Sequence, residues 1–213
     1  MIHALGGFNY LRFKMKNRGI AGTYQHRLNL FKQLPVQEGD IVFLGNSITE
    51  HCEWAELFQN TKIKNRGIAG DMTDGVLKRL DEITQAKPSK IFMMIGVNDL
   101  IIRSPKEIIA YYEQIIDKVT TDTKDTKLFV YSILPVNNEV KNTGLKNTDI
   151  AAINEGILKK AKKSQVEFID LHPLLTDEKG QLAAQFTKDG IHINGDAYFI
   201  WKKAIEHLVN DDL

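Results

Sequence analysis

Five short runs rich in apolar and β-branched residues punctuate this chain, at Asp40–Leu44, Ile63–Gly67, Lys90–Ile95, Lys127–Ile133 and Val166–Leu171. They are nearly continuous rather than alternating, which is the pattern of strands covered on both faces. The segments between them carry helical spacing. Ser104-Pro105-Lys106-Glu107 predicts a helix start, with serine at the N-cap, proline at the first helical position and glutamate at the capping-box position. Ile108, Ile109, Tyr112, Ile115, Ile116 and Val119 then recur at the helical period. Asn147–Lys163 and Asp196–Val209 read as helices in the same way, and a further helix is expected to run from Ser47 through Trp54 and Leu57. Strands alternating with helices imply right-handed βαβ units and a parallel sheet with helices on both sides. At 213 residues one domain is the default. Residues 1–35 read as an N-terminal extension with a helix packing on that domain.

Charge and composition narrow the class. A formal net charge of +1 supplies no field to steer nucleic acid or an anionic membrane. No apolar stretch is long enough to span a bilayer, so neither nucleic acid nor membrane insertion is expected. Cys52 is the single cysteine, so no intrachain disulfide can form, which fits a reducing compartment. Met1-Ile2-His3-Ala4-Leu5-Gly6-Gly7 lacks a basic region followed by an apolar one, so a cytoplasmic location is expected; a leader removed beforehand would make it periplasmic or secreted. Homo-oligomer formation stays open. Pro135–Lys146 is the one long irregular segment, and loops of that length often serve as lids or pocket walls. Lys-Asn-Arg-Gly-Ile-Ala-Gly occurs twice, at Lys16–Gly22 and Lys64–Gly70, with no similarity outside those residues. The first copy is read as functionally silent.

Ser47 follows Ile41–Gly45-Asn46 directly, which places a hydroxyl at the carboxyl end of a buried strand, where open α/β sheets bind ligands. Such a serine needs a base to take its proton; otherwise Ser47 or Thr49 simply caps the next helix. Asp189-Gly190-Ile191-His192 offers that base, with a carboxylate three residues before an imidazole it could orient, although Asp-Gly alone is also ordinary turn chemistry. Gly70 follows the second strand and Asn98 the third. A glycine N–H, the Asn98 amide and the Ser47 N–H would make a three-donor oxyanion hole, or these residues are plain turn residues. Cys52 beside His51 suggests a thiol nucleophile, but free cysteine is usually a small buried hydrophobe. Asp71, Asp74 and Asp99 suggest a metal, but aspartates near helix starts usually cap them. The run Lys159, Lys160, Lys162 and Lys163 reads as a solvated helix face.

Taken in order, Gly45-Asn46-Ser47-Ile48, Gly70, Gly96-Val97-Asn98-Asp99 and Asp189-Gly190-Ile191-His192 resemble the sequence blocks of the SGNH, or GDSL-type, hydrolases, over roughly residues 40–210. The resemblance implies a flavodoxin-like three-layer α/β/α sandwich with a five-stranded parallel sheet, and ester hydrolysis without cofactor or metal. It implies Ser47 as nucleophile, His192 as base and Asp189 as its partner, with Ser47, Gly70 and Asn98 as oxyanion donors. Asn46 stands where the signature usually has aspartate, which leaves the triad intact but bears on helix entry. The longer pattern through Cys52-Glu53-Trp54 and Asn65-Arg66-Gly67-Ile68-Ala69-Gly70-Asp71 resembles Bacteroidetes-type proteins of the sialate O-acetylesterase or platelet-activating-factor acetylhydrolase-like kind.

The expected substrate is therefore a small-molecule acyl ester, with acetyl removed from a polar alcohol such as a sugar. The polar loop Pro135–Lys146 favours that reading. The apolar patch Leu100, Ile101 and Ile102 favours a lysophospholipase or thioesterase acting on longer chains. A non-catalytic carbohydrate-binding protein on the same fold is the third alternative.

Overall fold

The computed structural model describes residues 18–211. Of the expected N-terminal extension, residues 1–17 lie outside that range, including Lys16 and Asn17 of the first repeat copy. The described chain opens with helix α1 (Arg18–Gln33) and continues β1 (Ile41–Gly45), α2 (Ser47–Glu50), α3 (Trp54–Phe58), β2 (Ile63–Gly67), α4 (Thr73–Lys78) and α5 (Asp81–Thr84). Then come β3 (Lys90–Met94), α6 (Pro105–Asp122), β4 (Lys127–Tyr131), α7 (Asn147–Lys163), β5 (Glu167–Ile169) and α8 (Gly195–Asn210).

The five strands are all parallel, in the spatial order β2-β1-β3-β4-β5. Successive side chains on β1 point to opposite faces, and each face has its own cover. Val42 and Leu44 join Ile91, Met93 and Val130 against Tyr112 and Ile116 of α6 and Ile153 of α7. Ile41 and Phe43 join Phe92, Phe129 and Tyr131 against Trp54, Phe58 and Trp201. That second face carries an aromatic ladder. Phe43 stacks on Phe92 at 5.1 Å between centroids, Phe92 on Phe129 at 4.5 Å, and Trp54 closes over Phe43 at 4.3 Å. Helices on both faces are the reason the strands read as unbroken apolar runs, each fully buried large side chain contributing about 1.5–3 kcal/mol of transfer free energy.

The expected fold class holds: this is a three-layer α/β/α sandwich. The order places β1 and β3 side by side, with their following connections leaving in opposite directions, β1 leading to β2 and β3 to β4. A crevice opens at the carboxyl ends of that strand pair, the place where ligands bind in such sheets.

Local signals mostly hold. The Ser104 capping box forms, with the Ser104 N–H donating to Glu107 Oε2 at 2.8 Å and the Glu107 N–H to Ser104 Oγ at 3.4 Å. The helix expected from Ser47 to Leu57 is instead broken into α2 and α3 at Glu53, whose ψ of 67° is non-helical. The carbonyls that this break orphans are taken up by side chains. Asn65 Nδ2 donates to the carbonyls of Thr49, Glu50 and Cys52 at 3.0, 3.1 and 3.0 Å, and Trp54 Nε1 donates to that of Thr49 at 2.8 Å. The last run is also shorter than expected, its strand covering only Glu167–Ile169 of Val166–Leu171.

The repeated heptapeptide shows how far context rules local structure. Arg18–Gly22 of the first copy lies in α1, whereas Lys64–Gly67 of the second lies in β2 and leads into a turn.

Candidate active site

Asn46 is the first residue past β1, and its Oδ1 accepts a hydrogen bond from the Ile48 N–H at 3.0 Å. It caps α2 as an aspartate there would, so the departure from the usual signature costs no cap. Ser47 therefore need not cap, and its Oγ is free. That Oγ lies 2.9 Å from His192 Nε2. His192 Nδ1 lies 2.6 Å from Asp189 Oδ2. With Nδ1 carrying the ring proton and donating to the carboxylate, Nε2 is left to accept from the serine hydroxyl.

Asp189 is fixed by its own turn. Its Oδ1 accepts from the backbone N–H groups of Ile191 at 3.0 Å and His192 at 2.8 Å. Burial pushes the carboxyl upward, but the bonds from the His192 ring and from the two amides outweigh it and bring it down to about 2. It is an anion at any ordinary pH. The turn itself is held at its base by an antiparallel bridge between Thr187 and Ile193, and Thr187 Oγ1 accepts from the Gly190 N–H at 2.9 Å.

The loop Pro135–Lys146 proves to be a wall built against this turn. The Asn137 N–H donates to the Gly190 carbonyl at 2.8 Å, and Asn137 Nδ2 to the Leu182 carbonyl at 2.7 Å. Asn147, at the start of α7, accepts from the Val136 N–H at 2.8 Å and donates to its carbonyl at 2.9 Å. Gly190 sits at φ +81°, and a Cβ there would meet the Asn137 carbonyl oxygen at 2.3 Å, so both conformation and space demand glycine.

Gly70 lies in the turn after β2 at φ +77°. Among the described residues its N–H has no hydrogen-bond partner in the protein. Asn98, after β3, donates one amide hydrogen to the Asp71 carbonyl at 2.9 Å, which leaves the other free. Asp71 ties the two loops together. Its carboxylate accepts from the Met72 N–H and from Arg79 Nε, each at 2.9 Å, while Arg79 Nη2 reaches the carbonyls of Gly45 and Arg66.

The alternatives resolve in the same terms. Cys52 is buried, and burial, helped by the Glu53 charge, pushes its thiol up to about 12, far from a reactive thiolate. The three aspartates are all committed to protein partners. Asp71 pairs with Arg79, Asp74 with Lys78 and Arg103, and Asp99 with Arg103 while accepting from the Thr73 N–H and hydroxyl. Asp99 thus caps α4 from a neighbouring loop. Among the described residues no group of three metal-ligating side chains gathers. Sequence reasoning passed over Arg79 and gave Asn137 no role beyond its place in the Pro135–Lys146 loop, because their partners lie far away in the chain; His51, weighed there only beside Cys52, has its ring centroid 5.2 Å from that of His192.

A serine–imidazole–carboxylate chain at the carboxyl edge of a parallel α/β/α sheet suits acyl transfer. Residues 43–199 match the GDSL-like Lipase/Acylhydrolase family, and the chain belongs to that family. By class it is a carboxylic ester hydrolase. It is 26% identical over 179 residues to the human platelet-activating factor acetylhydrolase IB subunit alpha2, covering 81% of this chain and 77% of that protein. A structure from Streptococcus pneumonia, named for platelet activating factor, superposes with a TM-score of 0.83 at 29% identity, covering 94% of this chain and 99% of the other. A GDSL-like lipase from Bacteroides thetaiotaomicron shares the fold with a TM-score of 0.74 at 22% identity, over 89% and 98% of the two chains.

Proposed function

We propose that this protein removes a short acyl group, acetyl above all, from a polar alcohol such as a sugar, through an acyl-enzyme on Ser47. The reading rests on one observation, the Oγ–Nε2 contact of 2.9 Å continued by the Nδ1–Oδ2 contact of 2.6 Å. Ser47 Oγ attacks the ester carbonyl carbon while its proton passes to His192 Nε2. Asp189 stabilises the imidazolium that results. The carbonyl oxygen, now an anion, accepts from the N–H groups of Ser47 and Gly70 and from the Asn98 amide. The intermediate collapses, the alcohol leaves with the proton from Nε2, and water repeats the sequence on the acyl-serine to release the acid. No cofactor enters.

The likeness to an acetylhydrolase favours a small acyl group. His51, Glu139 and Lys141 are exposed near this edge and suit a polar alcohol. A second reading, hydrolysis of longer acyl chains, is favoured by Ile101, which is 38% exposed in the turn after Asn98.

A p-nitrophenyl ester series separates the two. Turnover confined to acetate and propionate is the expected result, and activity rising toward octanoate selects the second reading. A folded protein that hydrolyses none of them and leaves Ser47 unlabelled by a fluorophosphonate overturns both and makes the fold a binding module.

A further inference from the structure

We propose that α1, which precedes the family-matched residues 43–199, is a positioning element of the active site, holding the Gly70 turn at the proper place through Tyr24 and Arg27. This rests on the oxyanion role given to Gly70 and Asn98 above.

The helix reaches the turn on both sides of Gly70. Arg27 Nε donates to the Gly67 carbonyl at 3.2 Å and pairs with Glu50 Oε1 at 3.2 Å. Glu50 Oε2 in turn accepts from the Ala69 N–H at 2.5 Å, one residue before Gly70. On the other side the Tyr24 hydroxyl lies beside the carboxylate of Asp71, one residue after Gly70: a Cβ at Gly75 would meet Asp71 Oδ1 at 1.9 Å and the Tyr24 hydroxyl at 3.2 Å. Burial and the Asp71 charge push that phenol up to about 12, so it stays protonated and neutral beside the carboxylate at any working pH. Asp71 passes the constraint on, since its carbonyl accepts from Asn98 Nδ2 at 2.9 Å. Both proposed loop donors are thus tethered to one helix.

The helix has its own anchor. Phe31 is 4% exposed, with the Arg66 guanidinium 4.6 Å and the Arg27 guanidinium 5.0 Å from its ring centroid. Arg66 also donates to the Leu34 carbonyl at the end of the helix. Oxyanion donors act because they are fixed before the charge develops. Removing the tethers leaves the donors present but misplaced, and a displacement near 1 Å costs roughly 10²-fold in rate.

The test uses the full chain carrying Tyr24→Phe, Arg27→Gln and both together, each alone and with Asn98→Ala. The double variant is expected to lose roughly 10²-fold in kcat with KM little changed. That loss should shrink in the Asn98→Ala background, because the tethers and Asn98 act on one site. Arg27→Lys, which keeps a cation beside Glu50 and Gly67, should restore most of the single-variant loss, separating positioning from general destabilisation. An unchanged kcat, a change confined to KM, or the same fractional loss with and without Asn98 overturns the proposal. If Asn98→Ala alone costs nothing, the oxyanion reading fails instead, and the two failures are told apart.

Discussion

At the mouth of β1 two adjacent polar side chains divide the work. Asn46 accepts from the Ile48 N–H and starts the helix, and Ser47 turns its Oγ to His192. Replacing the cap and replacing the proposed nucleophile should therefore have opposite signatures. Asn46→Ala should cost about 1 kcal/mol of stability, read by thermal or urea unfolding, and Asn46→Asp close to nothing. Ser47→Ala should leave stability near wild type and abolish turnover; a wild-type rate in a contamination-controlled preparation would remove Ser47 from the mechanism. Asn98→Ala should raise the barrier by about 3 kcal/mol, seen in kcat rather than KM, because an oxyanion donor acts on the transition state. The Asp189 carboxyl is held down to about 2, so it stays ionised wherever the protein is assayed. The acid limb of kcat/KM should then fall with a slope of one proton, that of the base alone; a slope of two would mean that the carboxylate titrates with it.

At the scale of elements, the loop and turn that hold the histidine carry as much of the site as the histidine does. The Asp189–His192 turn is legible as a motif, but its support is not. Asn137 lies some fifty residues earlier in the chain and is tied to the Gly190 carbonyl. Gly190→Ala should disturb this junction, because the new Cβ would meet the Asn137 carbonyl at 2.3 Å and the φ of +81° suits only glycine. The expected outcome is a lowered Tm together with a kcat loss out of proportion to it. Retained activity at normal stability would show that the turn is not held by this contact. The break between α2 and α3 was equally hidden. Little near Glu53 announces it, since the side chain that takes up three of the orphaned carbonyls is Asn65 on β2, with Trp54 sharing that of Thr49. The Ser104 capping box, by contrast, needs only residues three apart, and sequence reading located it correctly.

Across the whole molecule, acidification should act first through a group outside the site. His172 is half-buried after β5, its N–H donating to Ser132 Oγ at 2.8 Å and its Nε2 enclosed without a partner among the described residues. Burial pulls its pKa below the ordinary histidine value, with Asp170 opposing. The unfolded chain therefore binds that proton more readily than the folded one, and stability falls as pH drops through the ordinary histidine value of about 6.5 toward the lower folded value. Thermal unfolding between pH 8 and pH 5, an interval centred on about that value, should show the decline, and His172→Gln should flatten it; an unchanged slope would assign the loss to other groups. Activity should also be indifferent to EDTA, since Asp71, Asp74 and Asp99 are each engaged by arginine, lysine or threonine. Loss in EDTA that zinc restores would refute this.

What the sequence by itself determined is whatever depends on neighbours in the chain. Apolar runs spaced by helical periods dictate a parallel sheet covered on both faces, because only such a sheet buries every side chain of a run like Ile41-Val42-Phe43-Leu44. The order of the blocks around Ser47, Gly70, Asn98 and His192 carries the family for the same reason, each block lying at a strand end or in a turn. The tertiary structure alone decided what depends on distance in space. It paired Ser47 with His192 across 145 positions, made Asn65 the partner of three distant carbonyls, and brought Tyr24 and Arg27 of α1 against the Gly70 turn. The two copies of one heptapeptide, part helix and part strand, mark the boundary. Local propensity amounts to a few tenths of a kcal/mol per residue, and burial and hydrogen bonding in the assembled core override it.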